Sequence, residues 1–287
     1  MSKSLIVYFS QGGTTARTAQ SIAAGLRTAG YQVDLCHLIE EQPPALDGYD
    51  LLGIGMPVYA FRPPFALTDY VEGLPHLGGL PAFTFVQYGT LHGDAGTSMR
   101  RLLARKGARE VGYLTCRGDD YFLGYIKLGY LFSPDHPTAE ELAQAEAFGQ
   151  AVAARAADQE YVRPAEDAPP GAIYRLERFA VNRWLVEQVY SRFFRLNKDK
   201  CTACGVCVQG CPTGNITTND EGHPVWGRNC LFCLYCELHC PEDAIASAMD
   251  WPLFAPFFRY NIGRARRNPV LEDYVRVKHR QGRTHRL

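Results

Sequence analysis

Eight of the ten cysteines fall into two runs of one pattern, Cys201-x2-Cys204-x2-Cys207-x3-Cys211-Pro212 and Cys230-x2-Cys233-x2-Cys236-x3-Cys240-Pro241. Thiolates at that interval suit an iron–sulfur cubane. Three from one short loop grip three irons, and the fourth, set off by a three-residue gap, points away toward a second cluster. The spacing therefore predicts crossed ligation, with Cys201, Cys204, Cys207 and Cys240 on one cluster and Cys230, Cys233, Cys236 and Cys211 on the other. Proline after each fourth cysteine fixes φ and brings no N–H to satisfy. The flanks repeat as well, Pro212 to Ile216 against Pro241 to Ile245, so the halves read as one duplicated unit. Zinc held by four thiolates is the alternative, but it gives no role to a third cysteine at the same interval. A bracing role for genuine clusters stays open beside a redox one.

Residues 198–250 resemble a bacterial two-[4Fe-4S] ferredoxin, matching both motifs without insertion. Between the halves, Ile216 to Trp226 reads as a hairpin around Asp220-Glu221-Gly222, as that family has.

The first half of the chain has a different rhythm. Leu5 to Phe9 is a short apolar run fit for a buried strand, and Thr15 to Leu26 follows with helical spacing at Ala19, Ile22, Ala23 and Leu26. Between them, Ser10-Gln11-Gly12-Gly13-Thr14-Thr15 supplies glycines, hydroxyls and a helix N-terminus, the makings of an anion site. Neither a Walker A motif nor a GxGxxG fingerprint occurs, which disfavours a nucleoside triphosphate or a nicotinamide dinucleotide. Further strands are expected at 32–38, 51–56, 83–87 and 111–115, alternating with helices at 65–72, 97–106 and 138–157. That alternation predicts an α/β fold with a doubly wound five-stranded parallel sheet, ligands sitting at the carboxyl ends of its strands.

The loops at those ends resemble flavodoxin loops, and their union with the cysteine runs resembles the flavodoxin–ferredoxin fusion proteins of anaerobic prokaryotes. The resemblance implies a flavodoxin-like domain over 1–160, a linker and connecting helix over 161–197, a small α+β two-cluster ferredoxin domain over 198–250 and a C-terminal tail over 251–287. It further implies two [4Fe-4S] clusters and FMN. Ser10, Gly12, Gly13, Thr14 and Thr15 would hold the FMN phosphate. Pro57, Val58, Tyr59 and Ala60 would flank the isoalloxazine ring with Tyr88, Gly89, Thr90, Gly93 and Asp94, Tyr59 and Tyr88 touching it. The loop departs from the family in having Gly12 where a second hydroxyl is usual and Thr14 where asparagine is common.

Pro164, Pro169 and Pro170 mark an extended surface crossing. Ala172 to Leu196 then mixes aromatics with five arginines and reads as one helix, packed inside the protein or lying at a membrane surface. From Arg259 onward nine basic residues face only Glu272 and Asp273, whereas 198–250 holds seven acidic residues against three basic ones. The basic tail is expected to wrap the acidic domain, with docking of an anionic partner or of nucleic acid as alternatives. Cys36 and Cys116, on expected strands, read as small buried apolar residues.

Lys plus Arg and Asp plus Glu stand at 30 each, so the whole chain has no field to draw nucleic acid, and none is expected as a partner. No apolar stretch suits a transmembrane span or a leader, and a soluble cytoplasmic protein is expected. The function expected is electron transfer among the clusters, FMN and redox partner proteins, without a nicotinamide-binding domain. The alternatives are a flavin-dependent reductase of a small substrate, with Tyr121 to Phe132 walling its pocket, and an iron–sulfur docking or regulatory module lacking FMN.

Overall fold

The computed structural model describes residues 2–168, 172–271 and 273–287. The chain divides into two compact units, one of 1–119 with 135–174 and one of 120–134 with 175–287.

The first unit opens with β1 (Lys3–Tyr8), α1 (Thr14–Thr28), β2 (Gln32–His37), β3 (Leu51–Pro57), α2 (Phe65–Gly73), β4 (Pro81–Tyr88), α3 (Ala95–Arg105) and β5 (Arg109–Arg117). These strands form one parallel sheet in the order β2-β1-β3-β4-β5. It is the flavodoxin-like order, and the expected strands and helices recur within a few residues. Alternation of side chains along β1 explains the two cores. Leu5 and Val7 join Leu52, Ile54, Met56, Leu67 and Met99 on one face, while Ile6 and Tyr8 join Ile22, Leu26, Phe83 and Phe85 on the other. A sheet covered on both faces needs such continuous apolar runs.

After β5 the chain leaves this unit. It forms α4 (Leu123–Lys127) and β6 (Tyr130–Phe132) and then returns through α5 (Ala139–Ala157). The neck of the excursion is closed by the Asp119 N–H, which donates to the His136 carbonyl at 3.3 Å, and by the Asp135 N–H, which donates to the Asp119 carboxylate at 2.8 Å. Thr138 and Glu141 form a reciprocal capping box that starts α5 where the sequence places it. The excursion corrects one expectation. The first compact unit is not continuous over 1–160, because residues 120–134 belong to the other unit, where β6 pairs with a later strand.

The expected crossing at 161–168 runs along the first unit and is pinned to it. Arg100 donates to the Pro164 carbonyl at 2.8 Å, and Arg101 forms an ion pair with Glu166 at 2.6 Å. Pro169 and Pro170 lie outside the described residues. The single helix expected over 172–196 is instead α6 (Ala172–Ala180), α7 (Arg183–Gln188), a 3-10 turn at Tyr190–Phe193 and β7 (Arg195–Leu196). Asn182 makes the break. Its carbonyl oxygen accepts from the Leu185 N–H at 3.0 Å and starts α7, while its amide donates to the Phe179 carbonyl at 2.7 Å and finishes α6.

The second unit continues through α8 (Val206–Gln209), β8 (Ile216–Thr218), β9 (Pro224–Trp226), α9 (Tyr235–Leu238) and β10 (Ile245–Ala246). The duplication seen in the cysteines is also structural. β7 pairs antiparallel with β10, β8 pairs antiparallel with β9, and each half supplies one four-residue helix. The expected tail is folded: α10 (Ala255–Ala265) precedes β11 (Tyr274–Arg280) and β12 (Arg283–Arg286), and β11 lies between β12 and β6. The β11–β12 turn does reach the acidic segment, for the Gln281 N–H donates to the Asp243 carboxylate at 2.9 Å. Among the described residues no helix is long and apolar enough to cross a membrane.

Glu177 on α6 is turned toward α10, where the Asn261 amide donates to it at 2.8 Å, and burial pushes its carboxyl up to about 7 from an ordinary 4.5. The folded chain keeps a proton that the unfolded chain releases, so stability falls as pH rises from about 4.5 to about 7. Thermal unfolding of the full chain across that window should show this fall. Glu177→Gln should flatten it and unfold at the higher temperature near pH 8.

Candidate cofactor sites

In the second unit each cysteine run wraps a short loop that enters α8 or α9. Cys201, Cys204, Cys207 and Cys240 line one pocket together with Leu196, Pro224 and Ile245. Cys207 interacts electrostatically with Cys204 and Cys240, whereas Cys230 interacts with Cys233 and Cys211, and Cys236 with Cys230 and Cys233. The fourth thiol of each run is thus placed with the other run. Backbone N–H groups already point at sulfur: Asn215 donates to Cys211 Sγ at 3.2 Å and Ala244 to Cys240 Sγ at 3.3 Å, at the same place in each half. A third such bond runs from Phe232 to Cys230 Sγ at 3.3 Å. Hydrogen bonds of this kind tune cluster potentials.

Burial pushes the Cys230 thiol up to about 12, with the neighbouring Cys233 adding to the shift, and burial likewise raises Cys207 and Cys236. Ligation needs the thiolate form, so metal loading releases protons. Among the described residues no three His, Cys, Asp or Glu side chains converge tightly enough for a single metal ion.

In the first unit three loops emerge at the carboxyl ends of β1, β3 and β4, which are adjacent in the sheet where the strand order reverses. Gly13, the N-cap of α1, sits at φ +83°, a left-handed conformation that glycine adopts without strain. The first turn carries no acidic residue. Among the described residues the N–H groups of Gly12, Gly13, Thr14 and Thr15 have no acceptor within the protein. Four unpaired donors at a helix N-terminus fit a phosphate. Ser10 is used differently. Its N–H donates to His37 Nε2 at 3.1 Å and its Oγ accepts from the Ala16 N–H at 3.2 Å, which leaves only the hydroxyl proton to donate.

The second loop is fastened to the first by the Tyr59 hydroxyl, which donates to the Gln11 carboxamide at 2.6 Å. Pro57 ends β3, Val58 packs on the core, and Tyr59 and Arg62 exchange backbone hydrogen bonds at 3.0 Å across Ala60 and Phe61. Both turn residues have positive φ, 47° and 62°. Such a turn normally takes Asn-Gly, so this one is strained. In the third loop Tyr88 is half-buried with its ring against the edge of His92, Gly89 is half-buried, Thr90 is buried, and burial raises the Tyr88 phenol. Asp94 occupies the N-cap of α3 without capping it. Its carboxylate instead accepts from the Tyr174 hydroxyl, and the half-buried Asp167 supplies the cap by accepting from the Thr97 N–H at 2.9 Å.

Phe61, Tyr174 and Asp167 were not expected at this site. Phe61 and Tyr174 meet edge to face at 5.3 Å beside Gly93. Gly93 has φ +57°, and a Cβ there would lie 2.7 Å from the Phe61 Cβ. Gly93→Ala should therefore destabilise the chain by roughly 1–3 kcal/mol, as thermal unfolding would show, while leaving iron content unchanged. Cys36 and Cys116 are buried in the sheet with raised thiols, Cys36 at about 11, as expected of apolar filler.

Residues 5–121 match the family described as flavodoxin domain, and residues 194–241 match the family described as 4Fe-4S dicluster domain. The chain joins a flavodoxin domain to a 4Fe-4S dicluster domain. Subunit I of the NADH-quinone oxidoreductase of Pelobacter propionicus is 35% identical over an alignment of 78 residues that covers 23% of this chain and 42% of that one. The match thus spans less than half of that relative. Among solved structures, a flavodoxin from the domain Archaea is 17% identical, covering 54% of this chain and 99% of its own at a TM-score of 0.41. A flavodoxin from Streptococcus pneumoniae is 20% identical with the same coverages and a TM-score of 0.43. The flavodoxin domain carries the Gly-Thr loop and the two aromatic loops, and the dicluster domain carries the cysteine runs.

Proposed function

We propose that this protein is an electron-transfer flavo-iron–sulfur protein, in which two [4Fe-4S] clusters and FMN on one chain link one-electron and two-electron redox partner proteins. The observation that carries the reading is the convergence of Cys201, Cys204 and Cys207 with Cys240 from the other run. When bound, each cluster carries one electron at a time and FMN carries one or two.

The residues of the chain do the rest. Cys201, Cys204, Cys207 and Cys240 hold one cluster, and Cys230, Cys233, Cys236 and Cys211 hold the other. The N–H groups of Asn215, Ala244 and Phe232 favour the thiolate form of the sulfurs they meet. The N–H groups of 12–15 and the Thr14 and Thr15 hydroxyls hold the FMN phosphate. Tyr59, fixed by Gln11, and Tyr88, flanked by His92, border the ring.

The test is cofactor content after anaerobic purification, with visible spectra before and after dithionite. About eight irons, eight sulfides and one FMN per chain are expected. Eight irons without flavin would make the flavodoxin domain a docking module, and zinc in place of iron would overturn the reading.

A further inference from the structure

The second unit exposes apolar side chains that its own core does not use. Leu176 and Phe179 stand one helical turn apart on α6 at 52% and 71% exposure, Trp184 on α7 at 65%, and Leu253 just before α10 at 68%. The elements that carry them are tied together. Glu177 accepts from Asn261, the Tyr190 hydroxyl donates to the Ala180 carbonyl at 2.6 Å, and Tyr190, Trp251, Phe254 and Phe258 form one run of ring contacts.

The charge around these side chains is predominantly positive. Residues 172–196 hold five arginines against Glu177 and Glu187, and residues 251–268 hold four arginines and no acid. Glu177 is turned toward Asn261, and Glu187 is paired with Arg183 at 2.6 Å. Arg175, Arg195 and Arg259 are exposed and have no partner among the described residues.

Leucine, phenylalanine and tryptophan beside unpaired arginines are the side chains that anchor a protein in the headgroup layer of an anionic bilayer. We propose that α6, α7 and the Leu253 to Tyr260 segment form a membrane-surface site whose ligand is anionic phospholipid. Side chains this exposed protrude singly, which a deformable lipid phase accommodates. A second copy of the same face would set arginine against arginine. This inference is independent of the cofactor assignments.

Flotation of the full-length, anaerobically purified protein with vesicles tests it. Binding is expected to phosphatidylcholine vesicles containing 30% phosphatidylglycerol, and not to pure phosphatidylcholine. Each arginine removed should weaken it about fivefold at low salt. Phe179→Ala with Trp184→Ala should abolish flotation while iron content stays unchanged, and Arg175→Gln with Arg259→Gln should weaken it about 25-fold. Arg280→Gln with Arg283→Gln, on the basic β11–β12 hairpin, should leave it intact. Failure to float with anionic vesicles at low salt would overturn the proposal. So would undiminished binding by the Phe179/Trp184 variant, or a solution dimer that Trp184→Ala dissociates, since a second copy would then be the occupant.

Discussion

Replacing Cys211 by alanine is expected to remove about half of the iron from the anaerobically purified protein, and the half lost is not the one nearer in sequence. Cys211 follows Cys201, Cys204 and Cys207 in the chain, but it interacts with Cys230 of the other run, while the pocket that Cys201, Cys204 and Cys207 line is completed by Cys240. A second substitution identifies the surviving cluster. Adding Cys233→Ala to Cys211→Ala should cost no further iron, because both remove ligands of one cluster, whereas adding Cys204→Ala should cost nearly all of the rest. The reverse pattern would mean that each run holds its own cluster. The Asn215 N–H that donates to Cys211 Sγ would also be left without its acceptor, so thermal stability should fall even where the other cluster remains.

Gly12→Asp is expected to lower FMN affinity by on the order of 100-fold while slightly raising the stability of the flavin-free chain. A Cβ at Gly12 meets nothing within 4 Å, and the backbone there is outside the left-handed region, so the change adds charge without a clash. One and the same carboxylate has two opposite effects. It complements the positive end of α1, whose first turn carries no acid of its own, and it repels the phosphate that the unpaired N–H groups of 12–15 would hold. Flavin titration and thermal unfolding of one preparation separate the two. Unchanged FMN affinity would remove this loop from the site.

Local signals made the flavodoxin-like sheet legible. Strands buried on both faces show as runs such as Leu5 to Phe9, and α5 announces itself by the Thr138–Glu141 capping box. The cysteine spacing supports a long-range expectation, crossed ligation, that no local pattern could supply, because spacing of this kind is itself a record of a three-dimensional ligand set. What escaped the sequence depends on partners far along the chain. The β6 strand is three residues long and has no reason to form until Tyr274 to Arg276 pair with it. Asp167 and Tyr174 reach α3 and Asp94 from 70 and 80 residues away. The break at Asn182 was local, yet a lone asparagine is a weaker signal than glycine or proline, and the surrounding helix-forming residues hid it.

The excursion through 120–134 gives biosynthesis an awkward interval. Tyr130 to Phe132 leave the ribosome about 140 residues before the strand that pairs with them, which at about 5–20 residues per second means roughly 7–28 seconds of waiting. During that time the flavodoxin domain can complete its sheet while an apolar loop of Phe122, Tyr125 and Phe132 has no partner to cover it. Any cut that ends the chain at the close of α5 would make that interval permanent and leave a strand edge open to other chains. Separating the two cofactor modules for study therefore calls for excising 120–134 from one and grafting it onto the other.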